Sequence, residues 1–374
     1  MLQHLRWLVH GWCLLGAATL ASGQTFYDLG AGRAYGINDA GLIVGSKAVA
    51  PGTMMPCKWK GWDLDGKGTD GATTVLPLPA GASSGEARSV NAQGLMVGST
   101  TDSLMHAWPC KWKGWDLDSS SLLPDPDAGG VAYSVNSSGL MVGSTTDTLM
   151  HAWPCKWKGW DLDSKGTLPT PPGATGGTAF GVNNAGLMVG STSDTLMSPW
   201  PCKWKGWDLD GYGALPVLPG AVGGVAYAAN DSSLIVGSST DTLMHAWPCK
   251  WKGWDLDSVD PLPVSGDGTG GAALAVSSQN KIAGYIVDAG GNLRAALWSP
   301  LGDGSYALAD LNSFLPAGSG WQLQSAQAIN SDGWIVGYGL YNGLEHGFVI
   351  TPEPGTILLG GAGGLLLLRR RRRA

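Results

Sequence analysis

The sequence predicts an all-β protein, a seven-bladed β-propeller built from four-stranded repeats, and three observations predict it. A short phrase ending in Val-Gly or Ala-Gly recurs every 45 to 53 residues, with copies ending at Gly45, Gly98, Gly143, Gly190, Gly237, Gly284 and Gly337. A fixed period of this size marks one supersecondary unit copied many times. Glycine is abundant, at 59 of 374 residues, and charged residues make up only 14%. That composition favours turn-rich β structure over long charged helices. Finally, the last copy stops one strand short, and the start of the chain carries a spare strand that could complete it.

The elements follow in order. Residues 1–23 have the pattern of a secretory signal peptide and are expected to be helical. Arg6 supplies positive charge, Trp7 to Leu20 is mostly apolar, and Ala18, Ala21, Ser22 and Gly23 offer small residues for cleavage. Cys13 lies inside the apolar run, the wrong place for a lipid-modified N-terminus. The spare strand comes next, Phe26-Tyr-Asp-Leu-Gly30.

Residues 131–168 show one repeat in full. Val131 to Val135 suits a strand, Asn136-Ser-Ser-Gly139 a turn with Gly139 free to take positive φ, and Leu140 to Gly143 a second strand. Ser144 to Asp147 is a polar connection. Pro154 to Lys158 fits a third strand and Trp160 to Asp163 a fourth. In the turn, the sixth copy has Asn280 in place of Gly, which tolerates the left-handed region. The fifth has Ser233, which predicts strain or a different turn there. Pro169, Pro171 and Pro172 suit an outer edge or a loop between blades, where no ladder donor is missed. Four antiparallel strands per repeat is the content of a propeller blade. The seventh copy has strands around Gln327–Asn330, Trp334–Tyr338 and His346–Ile350 and no fourth, so Phe26–Gly30 is expected to close the ring. An open array would instead need polar caps. The domain reading is therefore 1–23 signal peptide, 24–350 propeller and 351–374 tail.

The tail reads Thr351-Pro-Glu-Pro-Gly355, an apolar run from Thr356 to Leu368, then five arginines, Arg369 to Arg373. As a helix the run would span about 20 Å, short of a bilayer core of about 30 Å. The arginines would stay on the cytoplasmic side. A Pro-Glu-Pro motif, an apolar helix and a terminal Arg cluster, in that order, resemble the PEP-CTERM sorting signal of Gram-negative bacteria that make exopolysaccharide. The resemblance covers about 24 residues. It implies that Pro352, Glu353, Pro354, Arg369, Arg370, Arg371, Arg372 and Arg373 form a signal read by an exosortase. It also implies a transient inner-membrane intermediate, loss of the tail, and delivery to the cell surface or matrix.

The repeats resemble the HAF family of extracellular repeats, whose units combine an Ile-Asn-x-x-Gly-x-Ile-Val-Gly phrase with a His-Ala-Phe-Leu-Trp phrase. Ile37-Asn-Asp-Ala-Gly-Leu-Ile-Val-Gly45 matches the first. His346-Gly-Phe348 and Arg294-Ala-Ala-Leu-Trp298 approximate the second, and five central copies read Trp-Pro-Cys-Lys-Trp or a close variant there. His106-Ala-Trp108 lies two residues too early. The resemblance covers residues 26 to 350 and implies an exported repeat protein with no established catalytic residue.

Charge excludes one class of partner. Six of the 23 basic residues, Arg6 and Arg369 to Arg373, lie in the terminal segments, and without them 17 basic residues face 29 acidic ones. A phosphate-binding surface needs the opposite balance, so no nucleic-acid partner is expected. Cys57, Cys110, Cys155, Cys202 and Cys249 share one phase of five repeats. Neighbouring sheets pack about 10 Å apart, beyond the ~7 Å Cα limit of a disulfide. These thiols read as small buried hydrophobes. The paired tryptophans, such as Trp112 and Trp115, read as packing between blades. Alternatively they are sugar platforms. In that case Trp115, Trp160, Trp207 and Trp254 stack on a pyranose while Asp116, Asp161, Asp208 and Asp255 accept hydroxyl bonds.

His106, His151 and His245 are equivalent, but the fourth copy has Ser198, so a metal ring would lack a ligand. Asp63-Leu-Asp65-Gly-Lys-Gly-Thr-Asp70 is only a faint calcium loop, not repeated elsewhere. There is no nucleophile–base set, phosphate loop or His-Glu-x-x-His motif, and the expectation is no catalytic residue, metal or cofactor. The expected function is a non-enzymatic exported protein with a structural or adhesive role in exopolysaccharide. The alternatives are a multivalent lectin and a polysaccharide-cleaving propeller.

Overall fold

A computed structural model describes residues 18–19, 24–61, 73–113, 119–124, 128–158, 165–196, 198–205, 211–252 and 258–352. Among them the protein is all-β, with a 3-10 turn of helix at Leu311–Phe314. The first strands are β1 (Ala18–Thr19), β2 (Gln24–Ile37), β3 (Leu42–Ala50), β4 (Thr53–Lys60) and β5 (Thr73–Val75). Five antiparallel four-stranded sheets follow in chain order, with strands running from Ala82 to Leu122, Gly130 to Thr167, Gly176 to Ala214, Ala221 to Pro261 and Gly270 to Asp310.

The remaining strands make one eight-stranded sheet. Its order is Trp321–Ile329, Ile335–Tyr341, Leu344–Pro352, β2, β3, β4, β5, with β1 paired to β2 off this path. The long strand β2 serves two neighbours. Gln24 to Ala31 pairs with Leu344–Pro352, placing Tyr27 opposite Val349 and Asp28 opposite Phe348. Gly32 to Ile37 then pairs with β3. The spare N-terminal strand thus completes the last copy. The first strands of successive units touch in a closed cycle, from β2 round to Trp321–Ile329 and back to β2.

Every unit except the sixth is locked to the next by the asparagine that opens its repeat phrase. The Asn38 Oδ1 accepts the Leu42 amide within its own turn, and Nδ2 donates to the Asn91 carbonyl one unit on (2.9 Å). Asn91 donates to Asn136 (3.0 Å), Asn136 to Asn183 (2.9 Å), Asn183 to Asn230 (2.8 Å) and Asn230 to the Ser277 carbonyl (2.9 Å). Asn330 closes the circle on the Asn38 carbonyl (3.2 Å). These amides are buried, so each satisfied donor matters more than it would in water. The sixth unit carries Ser277, which has no amide to extend the chain of bonds.

The glycine ending the phrase has a steric cause. At Gly45 and Gly143 a Cβ would overlap the carbonyls of Arg33 and Val131 on the preceding strand. There a register shift beside Ala34 and Ala132 brings the backbones together. Apolar side chains alternate to both faces of each second strand. Leu42 and Val44 pack with Leu76, Met96, Cys110 and Trp112 of the next unit, while Ile43 packs with Cys57 and Trp59 of its own. Five of the buried indoles also reach the linker before their unit, while Trp59 Nε1 donates to the Leu29 carbonyl of β2. Trp112 Nε1 donates to the Pro77 carbonyl (2.8 Å), and Trp157, Trp204, Trp251 and Trp298 do the same to Pro124, Pro169, Pro216 and Pro263. These prolines donate no backbone hydrogen bond, yet they accept one. The five thiols are buried and form no disulfide with one another, and burial pushes Cys110 and Cys249 up to about 12.

Three expectations need correction or lie beyond the described residues. The fourth strand of the third repeat is Lys165–Thr167, which pairs with Cys155–Trp157. Trp160–Asp163, expected to hold that place, lies outside the described residues. Of the expected signal helix only Ala18–Thr19 is described, and it is a short strand on the free edge of β2, opposite Thr25–Phe26. Residues 353–374, with Glu353, Pro354 and the arginines of the expected tail helix, are also outside. Pro352 is the exposed last residue of its strand, paired with Gln24. The Ser233 turn keeps the bonds of its relatives, with Ser233 at φ 62°. It is therefore strained rather than rebuilt.

Candidate functional site

On the face opposite the asparagine turns, four consecutive sheets carry the same hairpin between their second and third strands. Its sequence is Asp-x-Leu-Met-x-x-Trp, at Asp102–Trp108, Asp147–Trp153, Asp194–Trp200 and Asp241–Trp247. The local fold follows from the aspartate. Asp147 Oδ1 accepts the amides of Leu149 (2.9 Å) and His151 (2.8 Å), and its own amide donates to the His151 carbonyl (3.0 Å). Oδ2 accepts the indole N–H of Trp153 (2.9 Å), with His151 Nδ1 at 3.4 Å. The same constellation recurs around Asp102 and Asp241. Around Asp194, Ser198 stands in place of the histidine.

The electrostatics follow from those bonds. The indole hydrogen bond, with the backbone amides behind it, holds Asp102, Asp147, Asp194 and Asp241 below the usual carboxylate range. Each site thus combines a carboxylate, an indole of fixed orientation, half-buried except at the exposed Trp200, and, in three copies, an exposed imidazole. At the tip stand two apolar side chains: Leu149 is 74% exposed and Met150 68%. Met105, Met150 and Met244 take φ of 66–68°, a left-handed conformation that costs a non-glycine residue about 1–2 kcal/mol. The other units avoid that strain with Gly52, Gly291 or Asn342-Gly343 at the tip. The sixth also replaces the histidine and tryptophan with Asn292 and Arg294.

The sugar-platform residues expected from the sequence, Trp115, Asp116, Trp160, Asp161, Trp207, Asp208, Trp254 and Asp255, lie outside the described residues. His106, His151 and His245, equivalent positions in the sequence, belong to the hairpin clusters. The sequence reading set Trp108 aside as misplaced. The signal for this site was the seven-residue pattern itself, repeated with an apolar Leu-Met pair in the middle of a polar turn. Among the described residues no group of three or more His, Cys, Asp or Glu could hold a metal ion.

No protein-family model matches the chain, and no curated protein matches it. Solved structures do match in outline. A mutant of Aleuria aurantia lectin in complex with alpha-methyl-L-fucoside aligns over 76% of this chain and 96% of its own, at 14% identity and a TM-score of 0.37. A mutant of AofleA from Arthrobotrys oligospora aligns over 77% and 89%, at 11% identity and a TM-score of 0.42. A fungal lectin described as a six-bladed β-propeller with a novel fucose recognition mode aligns over 77% and 97%, at 12% identity and a TM-score of 0.39. The overlap is loose, and the fold assignment here stands on strand pairing.

Proposed function

We propose that this protein is a multivalent carbohydrate-binding propeller, lectin-like in action and not an enzyme. The observation that carries the reading is the Asp–Trp hairpin, repeated on four consecutive sheets, three of them with a histidine beside the carboxylate, and exposed on one face. An indole fixed through its N–H offers a flat apolar surface to the C–H face of a pyranose. The carboxylate and imidazole beside it can bond hydroxyls. Weak sites spaced on one rigid frame gain avidity for a repeating polymer without any new contact.

In this reading the eight-stranded sheet counts as two blades sharing β2, and the ring has seven. Residues 24–350 are the propeller. Residues 1–23 direct export, and 351–374, with Pro352, Glu353 and Pro354, form the exosortase signal that sends the protein to the surface or matrix. The pairing of Gln24 with Pro352 supports a display geometry. Both strand ends leave on the asparagine-turn face, so a tail held at the membrane would present the hairpins outward. An adhesive role in exopolysaccharide follows from binding.

The test is a glycan array with the purified protein and with the Trp108→Ala/Trp153→Ala/Trp247→Ala variant. Binding by the parent to a defined sugar class, lost in the variant with the fold intact, is the expected result. Binding that survives these three replacements together with Trp200→Ala would remove the hairpins as the site.

A further inference from the structure

The axis of the propeller carries a cavity that the hairpins do not use. It opens on the asparagine-turn face and has a volume of about 370 Å³, inside the range of ~300–1,000 Å³ typical of small-molecule sites. One residue per unit, three places before the ring asparagine, lines it. In the sequence these equivalent positions are Tyr35, Arg88, Tyr133, Phe180 and Tyr227 along one arc, with Leu274 and Gln327 completing the circle. The rings are half-buried and packed in series: Tyr133 lies 5.0 Å from Phe180 at 65°, and Phe180 lies 5.5 Å from Tyr227 at 54°. Arg88 sits between two of them, 5.3 Å from the Tyr35 ring centroid and 5.0 Å from that of Tyr133.

Two features point to a ligand and to its charge. Arg88 lines the cavity, and its buried Nε has no hydrogen-bond partner among the protein's own groups. The charges, however, are already balanced. Arg88 pairs with Glu86. Deeper along the axis Arg33 is held by both oxygens of Glu345, at 2.7 and 2.6 Å. Arg88 is the one cation lining the cavity among the described residues, and the rim adds Asp39 and Asp231. An anion would meet no spare positive charge there. A cation would compete with a guanidinium already held between the rings. A neutral ring with an apolar face and several hydroxyls fits both the aromatic arc and the charge-balanced Arg88.

We infer that the axial cavity is a separate, single binding site for a neutral pyranoside, seated against Tyr133, Phe180 and Tyr227 and hydrogen-bonded by Arg88, whose charge Glu86 balances. The ligand class rests on the reading of this protein as carbohydrate-binding, but the site shares no residue with the hairpins. The two are separable because the cavity reports through tyrosine and the hairpins through tryptophan.

The experiment is ¹⁹F NMR of the full-length protein, labelled in one sample with fluorotyrosine and in another with fluorotryptophan. Each is titrated with methyl glycosides of glucose, galactose, mannose and fucose, and with glucuronate. At least one neutral glycoside should shift the Tyr133 and Tyr227 resonances, with glucuronate at least tenfold weaker. Arg88→Gln, and separately Phe180→Leu, should weaken that response at least fivefold and leave the tryptophan response unchanged. Tryptophan shifts with silent cavity tyrosines, or a cavity that prefers glucuronate, would overturn the inference and leave the hairpin reading standing. Tyrosine shifts with silent tryptophans would support the cavity and sink the hairpins.

Discussion

Each of the central units is closed by two turns with one backbone plan and opposite chemistry. On the cavity face Asn136-Ser-Ser-Gly139 closes with the Asn136 side chain accepting the Leu140 amide, and the Gly139 amide donating to the Asn136 carbonyl. On the far face Asp147-Thr-Leu-Met150 closes identically, with Asp147 accepting the His151 amide and Met150 donating to the Asp147 carbonyl. The fourth residue is left-handed in both, at φ 78° for Gly139 and 66° for Met150. The first turn buries its amide in the ring of asparagines and uses the residue that suits the backbone. The second exposes its carboxylate and keeps a large apolar residue where glycine would sit more easily. Shared geometry with opposite side-chain placement separates a turn that builds the fold from one whose side chains face outward. Strain kept at an exposed position is an observation from which function can be argued.

The largest expected effect lies on the cavity face. Asn136→Ala removes the acceptor for Leu140 and the donor to Asn183 inside a buried network, and should lower stability by about 2–4 kcal/mol. Chemical denaturation would measure it. Asp147→Ala, in the matching place, should leave the unfolding midpoint nearly unmoved while weakening sugar binding. Equal destabilisation by both would erase the distinction between the turns.

A smaller pair sharpens the same contrast. Ser233→Gly and Met150→Gly each place glycine at a left-handed position. Each should raise stability by about 0.5–1 kcal/mol, since relief of strain outweighs the added freedom of the unfolded chain. Only Met150→Gly should change affinity for a glycan, read by titration calorimetry. If both leave binding untouched, the exposed methionine has no part in recognition.

The smallest effect is a pH dependence. Because Asp102, Asp147 and Asp241 titrate below their ordinary range in the fold, the unfolded hairpins hold a proton more tightly. Their contribution is fully present above the unfolded value, near pH 4, and fades as pH falls through the depressed folded value. Tryptophan fluorescence should therefore report unchanged hairpins from pH 7 down to about 4 and loosening only below it.

Much of the frame was legible in the sequence because it depends on local rules. The Asn-x-x-Gly turn declares itself by the residue that tolerates positive φ, and Phe26–Gly30 was the strand its partner lacked. The Trp112 phase, with Cys110 two residues away, gave the packed face by simple alternation. The link from Asn38 to the Asn91 carbonyl was not legible, since it joins residues 53 apart in the chain. Nor was Lys165–Thr167 as a fourth strand. Three residues of modest β-propensity carry little signal, and only the Cys155–Trp157 edge selects them. The hairpin site was missed because its aspartate, histidine and tryptophan look like polar loop and spacer residues until the aspartate's carboxylate is seen binding the other two.

Calorimetry with a soluble polysaccharide recognised on the array, set beside its own repeat-unit fragment, tests multivalent recognition by the hairpins most directly. The polymer should bind at least ~10²-fold tighter than the fragment, and the gap should shrink stepwise as Trp108, Trp153 and Trp247 are replaced in turn by alanine. Equal affinity for polymer and fragment, or a gap indifferent to all three tryptophans, would contradict the account.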